Sequence, residues 1–219
     1  EQMKKLAVFD FDGTLNRTDL FSVPAHLKAL AERGITNVTG QKVISTFGER
    51  ADEYVKILLG TVSPSEARRY LDDVAKYELE FIAEYGRPYD GVIESLSRLR
   101  EDGYRIAVCS NSSLRYQTMV LTNLKLMPLV DTIQDLRPGM TKIQTLSLLL
   151  KKEKPDAAVM VGDRKFDIEA GRENGLPTIG CKYGFNPQEA DLADIVINSA
   201  FEIYDAVQQL ISNTGNNAV

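Results

Sequence analysis

Two aspartates stand one residue apart in "KKLAVFDFDGTLN", where a short apolar run carries Asp10 and Asp12 to a glycine. Packing alone does not ask for paired acids there. Comparable polar groups follow other apolar runs: Ser110 and Asn111 in "VCSNSS", and Asp163 and Asp167 in "VGDRKFD". Lys142 in "RPGMTK" opens a further amphipathic segment. Asp10, Asp12 and Asp163 would repel one another in a low-dielectric cleft unless a cation offsets them. A hard divalent ion with oxygen ligands does so, and Mg²⁺ suits few carboxylates plus a phosphate and water. A transferring phosphoryl group spreads negative charge over its oxygens, so its catalysis is mainly electrostatic positioning. One carboxylate can then act as nucleophile, while a neighbour protonates the leaving oxygen and later deprotonates water. The set points to phosphoryl transfer.

Such residues need a scaffold that gathers strand ends. Continuous apolar runs at 4–9, 105–109, 157–161, 177–180 and 194–197 predict parallel strands buried on both faces. "GVIESLSRLREDG" sets Val92, Leu96 and Leu99 at helical spacing and ends on Gly103. "KIQTLSLLLKKEKP" does the same with Ile143, Leu146, Leu149 and Leu150 before Pro155. The alternation predicts a doubly wound, Rossmann-like α/β core, whose ligand site lies beyond the carboxyl ends of the strands. From about Thr18 to Tyr85 the patterns are helical only, with a capping-box-like Ser63…Glu66 before the longest of them. The expected division is a core of 1–17 and 87–219 with a small all-helical domain, 18–86, inserted after the first strand. The polar tail "SNTGNNAV" is expected to fray.

The chain's 219 residues, 43% hydrophobic and 26% charged, suit a globular protein with a real core. A net charge of -5 argues against a nucleic-acid surface. No apolar run reaches the roughly 20 residues that span a bilayer. Two cysteines, Cys109 and Cys181, show neither disulfide-scaffold nor metal-ligand spacing, so a reducing cytoplasm is the expected home. "EQMKK" is not expected to be a signal peptide, and Met3 is expected to be the natural start, the two residues before it being an addition.

"DFDGTL" at 10–15, a serine after the second strand, the lysine and "GDRKFD" at 162–167 resemble, in order, the four motifs of the haloacid dehalogenase superfamily. "PYDGVIESLSRLREDGYRIAVCSN" and "MVGDRKFDIEAGRENGLPTIGCKYGF" resemble its phosphoglycolate phosphatase-like branch. The resemblance implies that Asp10 is nucleophile and Mg²⁺ ligand, and that Asp12 is general acid/base and offers its carbonyl to the metal. It implies that Ser110 and Lys142 hold phosphoryl oxygens with Asn111 alongside, that Asp163 ligates Mg²⁺, and that Asp167 orients a metal-bound water or Lys142. Arg137, before the proline of "RPGMTK", competes with Lys142 for its place. The helical insert resembles the family's cap, and Gly48, Glu49 and Arg50 fall where its loop faces the active site; Arg50 would clamp an anionic group of the substrate. Members that cleave carbon–halogen bonds lack an acid at the position of Asp12, so dehalogenation is not expected.

The expected activity is hydrolysis of a small phosphorylated metabolite by a monomer or weak homodimer. A phosphosugar mutase would share every core motif, and a phospho-acceptor signalling domain would share the acids, hydroxyl and lysine. His26, the one histidine, is read as a surface or packing residue, and Cys109 as a buried inert thiol. "LDDVAKYELEFIAE" reads as a solvated helix face.

Overall fold

The computed structural model describes residues 3–216, with side chains through 212. Six parallel strands form one sheet: β1 (Lys5–Phe9), β2 (Tyr104–Cys109), β3 (Thr132–Gln134), β4 (Ala157–Gly162), β5 (Thr178–Cys181) and β6 (Ile195–Ile197). Their order is β3-β2-β1-β4-β5-β6, so the chain reverses direction across the sheet beside β1. β1 pairs with β2 through Phe9 opposite Val108 and with β4 through Phe9 opposite Val161. This register brings the ends of β1, β2 and β4 to one rim. Five of the six strands lie where the apolar runs predict them, within a residue or so. β3 is the addition: an edge strand of three residues, "TIQ", too short to show a period.

Both faces of the sheet are covered, which explains the unbroken apolar runs. Leu6 and Val8 of β1 pack on one side with Ala107, Leu146 and Met160. Ala7 and Phe9 pack on the other with Leu96, Ile106 and Val207.

Between β1 and Gly86 stand four helices: α1 (Asp19–Ala31), α2 (Gly40–Ile44), α3 (Ala51–Leu59) and α4 (Pro64–Tyr85). They enclose an apolar cluster of their own, with Leu30, Val43, Phe47, Val55, Tyr70 and Val74 at its centre. Ser63 caps α4 by accepting from Glu66 N at 3.2 Å, but the Glu66 carboxylate turns to Arg33 and Arg69. Only half of the expected capping box forms. The remaining helices are α5 (Val92–Glu101), α6 (Leu114–Asn123), α7 (Lys142–Glu153), α8 (Lys165–Glu173), α9 (Pro187–Ala190) and α10 (Ile203–Asn216). α10 carries helix into the tail expected to fray, and 217–219, like the expected addition at residues 1–2, lie outside the described residues. Among the described residues no helix is long and apolar enough to cross a membrane.

Candidate active site

Asp10 leaves the end of β1 with its N–H on the Val161 carbonyl of β4 at 2.8 Å, which fixes the acid at the rim. Gly13 then turns the chain at φ +86, a conformation that L side chains rarely adopt. A Cβ there would sit 2.5 Å from Asp163 Oδ2, so only glycine lets this turn lie against the end of β4.

Asp163 follows β4 directly and is fully buried; its Oδ2 accepts from Phe185 N at 2.8 Å and its Oδ1 from Thr14 Oγ1 at 3.4 Å. Asp167 sits in the first turn of α8 and accepts from Arg164 N at 2.9 Å through Oδ2. Lys142 is the first residue of α7, held there by a reciprocal capping box between Thr141 and Gln144. Its ammonium donates to Asp10 Oδ1 at 2.6 Å and also pairs with Asp167 Oδ1. Arg137 is exposed, and no hydrogen bond or ion pair joins its side chain to this cluster, so the structure brings in Lys142 of the two.

Asp10, Asp163 and Asp167 are all buried, and each offers an oxygen within 4.8 Å of the others. Burial, then Asp10 and Asp167, pushes Asp163 well above the usual carboxylate range. Burial, then Asp10, lifts Asp167 to about 6 against the pull of Lys142. Burial opposes the Lys142 charge, yet Asp10 and Asp167 together hold its ammonium above the usual lysine range. Oδ2 of Asp10 is buried without a hydrogen-bond partner. An oxygen-only set of clustered acids with one oxygen left over fits a hard divalent cation such as Mg²⁺.

Asp12 points away from this cluster. Its Oδ1 accepts from Thr18 Oγ1 at 2.6 Å, Tyr116 Oη at 2.8 Å and Asn16 Nδ2 at 3.2 Å. Burial raises it to about 6 although these bonds pull the other way. Its neighbours were not legible as partners. Tyr116 comes from α6, whose N-cap Ser113 accepts from Tyr116 N at 3.2 Å and so orients the first turn.

Ser110 Oγ lies 2.8 Å from Ser112 Oγ at the end of β2. Asn111 donates through Nδ2 to the Gly48 carbonyl at 3.0 Å, joining the sheet to the loop between α2 and α3. Gly48, Ser110, Asn111 and Asp12 line one cavity. Arg50 does not. Its guanidinium donates to the Met140 carbonyl at 2.6 Å and reaches Asp52 at 3.4 Å. Its neighbours Glu49 and Ala51 line the cavity, but the Met140 carbonyl draws the Arg50 side chain away, and Arg164 occupies the space beside Gly48 instead, bonded to the Phe47 carbonyl, Glu49 and Glu189.

One further expectation changes. Glu78, within the stretch read as a solvated face, is 7% exposed and lines the cavity. His26 is buried, with Nδ1 2.6 Å from Tyr70 Oη, and lines it too. Cys109 is a buried free thiol that burial pushes up to about 12.

The model of the haloacid dehalogenase-like hydrolase family matches residues 7–181. A phosphoglycolate phosphatase of Aquifex aeolicus is 28% identical over 202 residues, covering 89% of this chain and 92% of its own. A crystal structure described as a predicted phosphatase from Clostridium acetobutylicum superposes with a TM-score of 0.82 at 22% identity, over 96% of this chain and 100% of that one. The β-phosphoglucomutase of Clostridium difficile gives 0.81 at 18% identity, over 98% and 100%. At such identities the two structures speak to the fold alone.

Proposed function

The chain belongs to the haloacid dehalogenase-like hydrolases, and we propose that within that family it is a Mg²⁺-dependent phosphomonoester hydrolase acting on a small phosphorylated metabolite of the cytoplasm. The observation that carries this reading is the placement of Asp10. It shares Lys142 with Asp167, keeps one buried oxygen unpartnered, and stands two residues from a second acid held in a different hydrogen-bond network.

In this reading the Asp10 carboxylate attacks phosphorus, and the bond from phosphorus to the leaving oxygen breaks. Asp12 delivers its proton to that oxygen, so the leaving group departs as an alcohol. An acid lifted to about 6 is suited to that exchange near neutral pH. Thr18, Tyr116 and Asn16 hold Asp12 Oδ1 and leave Oδ2 to carry the proton. Asp12 then takes a proton from water, which attacks the phosphorus of phospho-Asp10 and restores the carboxylate with release of phosphate. Ser110 and Asn111 steady the phosphoryl oxygens, and Lys142 keeps Asp10 aligned. Asp10 and Asp163, with the Asp12 carbonyl, would hold Mg²⁺, and Asp167 would orient their surroundings through Lys142. When bound, the ion offsets the clustered charge and that of the phosphoryl group. Residues 18–86 form a cap domain over a core of 1–17 and 87–219, and closure of the cap would exclude water.

The relatives' names favour hydrolysis over mutase chemistry, and the mutase likeness concerns the fold alone. The test is hydrolysis of p-nitrophenyl phosphate with Mg²⁺, stopped by chelation and by Asp10→Asn. Turnover in Asp10→Asn would overturn the reading.

A further inference from the structure

Beside Asp12, the cavity of about 330 Å³ is walled in part by α1, α3 and α4. Glu78 from α4, Ser22 and His26 from α1 and Tyr54 from α3 all line it. Ser22 donates to Glu78 Oε1 at 2.6 Å. Glu78 Oε2, His26 Nε2 and Tyr54 Oη make no hydrogen bond among the described residues. Such polar atoms are costly to withdraw from water unless a guest pairs with them. His26 is 4% exposed, and burial alone draws it down to about 4, so its ring is neutral.

Charge decides which guest fits. Arg115 is the one Lys or Arg among the described lining residues, and it is exposed. Glu49 is offset by Arg164 at 3.4 Å. Among the described residues no buried cation offsets Glu78 or Asp12 on this side. A carboxylate here would meet acids and no buried cation, and its lost hydration would go uncompensated. Hydroxyl groups, which both donate and accept, meet the second carboxyl oxygen of Glu78, a ring nitrogen at His26 and the phenol of Tyr54, and they bring no charge.

We propose that Glu78, with His26 and Tyr54, binds hydroxyls of the leaving group, so that the substrate is a phosphorylated polyol or sugar rather than a phosphorylated carboxylic acid such as phosphoglycolate. This rests on the phosphatase reading above. A site built to pair with hydroxyls rejects analogues that leave its own polar groups unpaired. The volume also exceeds what a two-carbon acid needs and lies within the range of small-molecule sites.

The test compares kcat/KM of the Mg²⁺-loaded enzyme on glycerol 3-phosphate, glucose 6-phosphate, 2-phosphoglycolate and phosphoethanolamine, with p-nitrophenyl phosphate as reporter. The better hydroxylated ester should exceed 2-phosphoglycolate and phosphoethanolamine by about tenfold or more. Glu78→Leu should lower the ratio of hydroxylated ester to reporter by about tenfold, mostly through KM, and Glu78→Gln should restore most of it. Should Glu78→Leu fail to fold, Tyr54→Phe removes one hydroxyl and should lower the same ratio by about threefold or more. Preference for 2-phosphoglycolate or phosphoethanolamine, or a ratio indifferent to Glu78→Leu and Tyr54→Phe, would overturn the proposal while leaving the phosphatase reading intact. Failure to hydrolyse any of the esters, the reporter included, would overturn both.

Discussion

The Lys142 ammonium lies 2.6 Å from Asp10 Oδ1, a contact between residues 132 apart in sequence, and its other partner is Asp167. One cation therefore ties the end of β1 to the start of α8 from the first turn of α7. Removing it leaves two buried acids uncompensated. Lys142→Met is expected to cost about 3–5 kcal/mol in urea unfolding. Asp10→Asn in the same chain should recover part of that loss, with a coupling of about 1–3 kcal/mol. Simple additivity of the two changes would show that the pair does not interact.

The bond from Tyr116 to Asp12, at 2.8 Å, crosses from α6 to the turn after β1. A hydrogen bond to a charged group is worth about 1.5–3 kcal/mol. Tyr116→Phe should therefore lower kcat roughly tenfold or more with KM nearly unmoved, because the phenol holds the proton carrier and not the phosphoryl group. A change confined to KM would place Tyr116 on the substrate instead.

Gly13→Ala meets two obstacles, a φ of +86 and a Cβ 2.5 Å from Asp163 Oδ2. The substitution should destabilise the fold by about 1–3 kcal/mol. Because Asp163 must move, kcat/KM should fall further than the stability loss explains, by about a hundredfold. Thermal unfolding beside steady-state kinetics would check both parts.

Glu78 makes stability depend on pH. Burial lifts it to about 8 from an ordinary 4.5, so the fold keeps a proton that the unfolded chain releases. The native state binds more protons across that window, and stability falls as pH rises through it. Glu78→Gln removes this contribution. In chelator, the difference in Tm between variant and wild type should grow by about 4 °C or more between pH 5 and pH 8 in favour of the variant. A constant difference would mean that Glu78 titrates alike in both states.

Much of this architecture is written in short stretches. The central strands are legible because burial on both faces demands unbroken apolar runs, as in "KLAVF" and "AAVMVG". Asp10, Asp163 and Lys142 are legible because each adjoins the end of a strand or the start of a helix. β3 is not, since "TIQ" is pinned by its neighbours and not by its own pattern. The direction of Arg50 is not legible either, since a charge in a loop says nothing of where it points, and the Met140 carbonyl claims it. The cavity's polar wall is hard to read in the sequence for a different reason. Thr18, Ser22 and His26 recur every four residues and all are buried, a polar stripe on one face of a helix. Glu78 likewise stands four residues after the buried Val74, at a position that helical spacing gives to the core. Acids nearby in sequence hid it within an apparent solvent face.

The most direct test of the central claim is the identity of the phosphorylated residue. The enzyme would be mixed with excess phosphomonoester and Mg²⁺, quenched in acid within a turnover, digested and mapped by mass spectrometry. The account predicts one phosphoryl group on Asp10, labile to hydroxylamine and absent from Asp10→Asn, which should also lose turnover. A phosphoryl group on Ser110, or undiminished hydrolysis by Asp10→Asn, would contradict it.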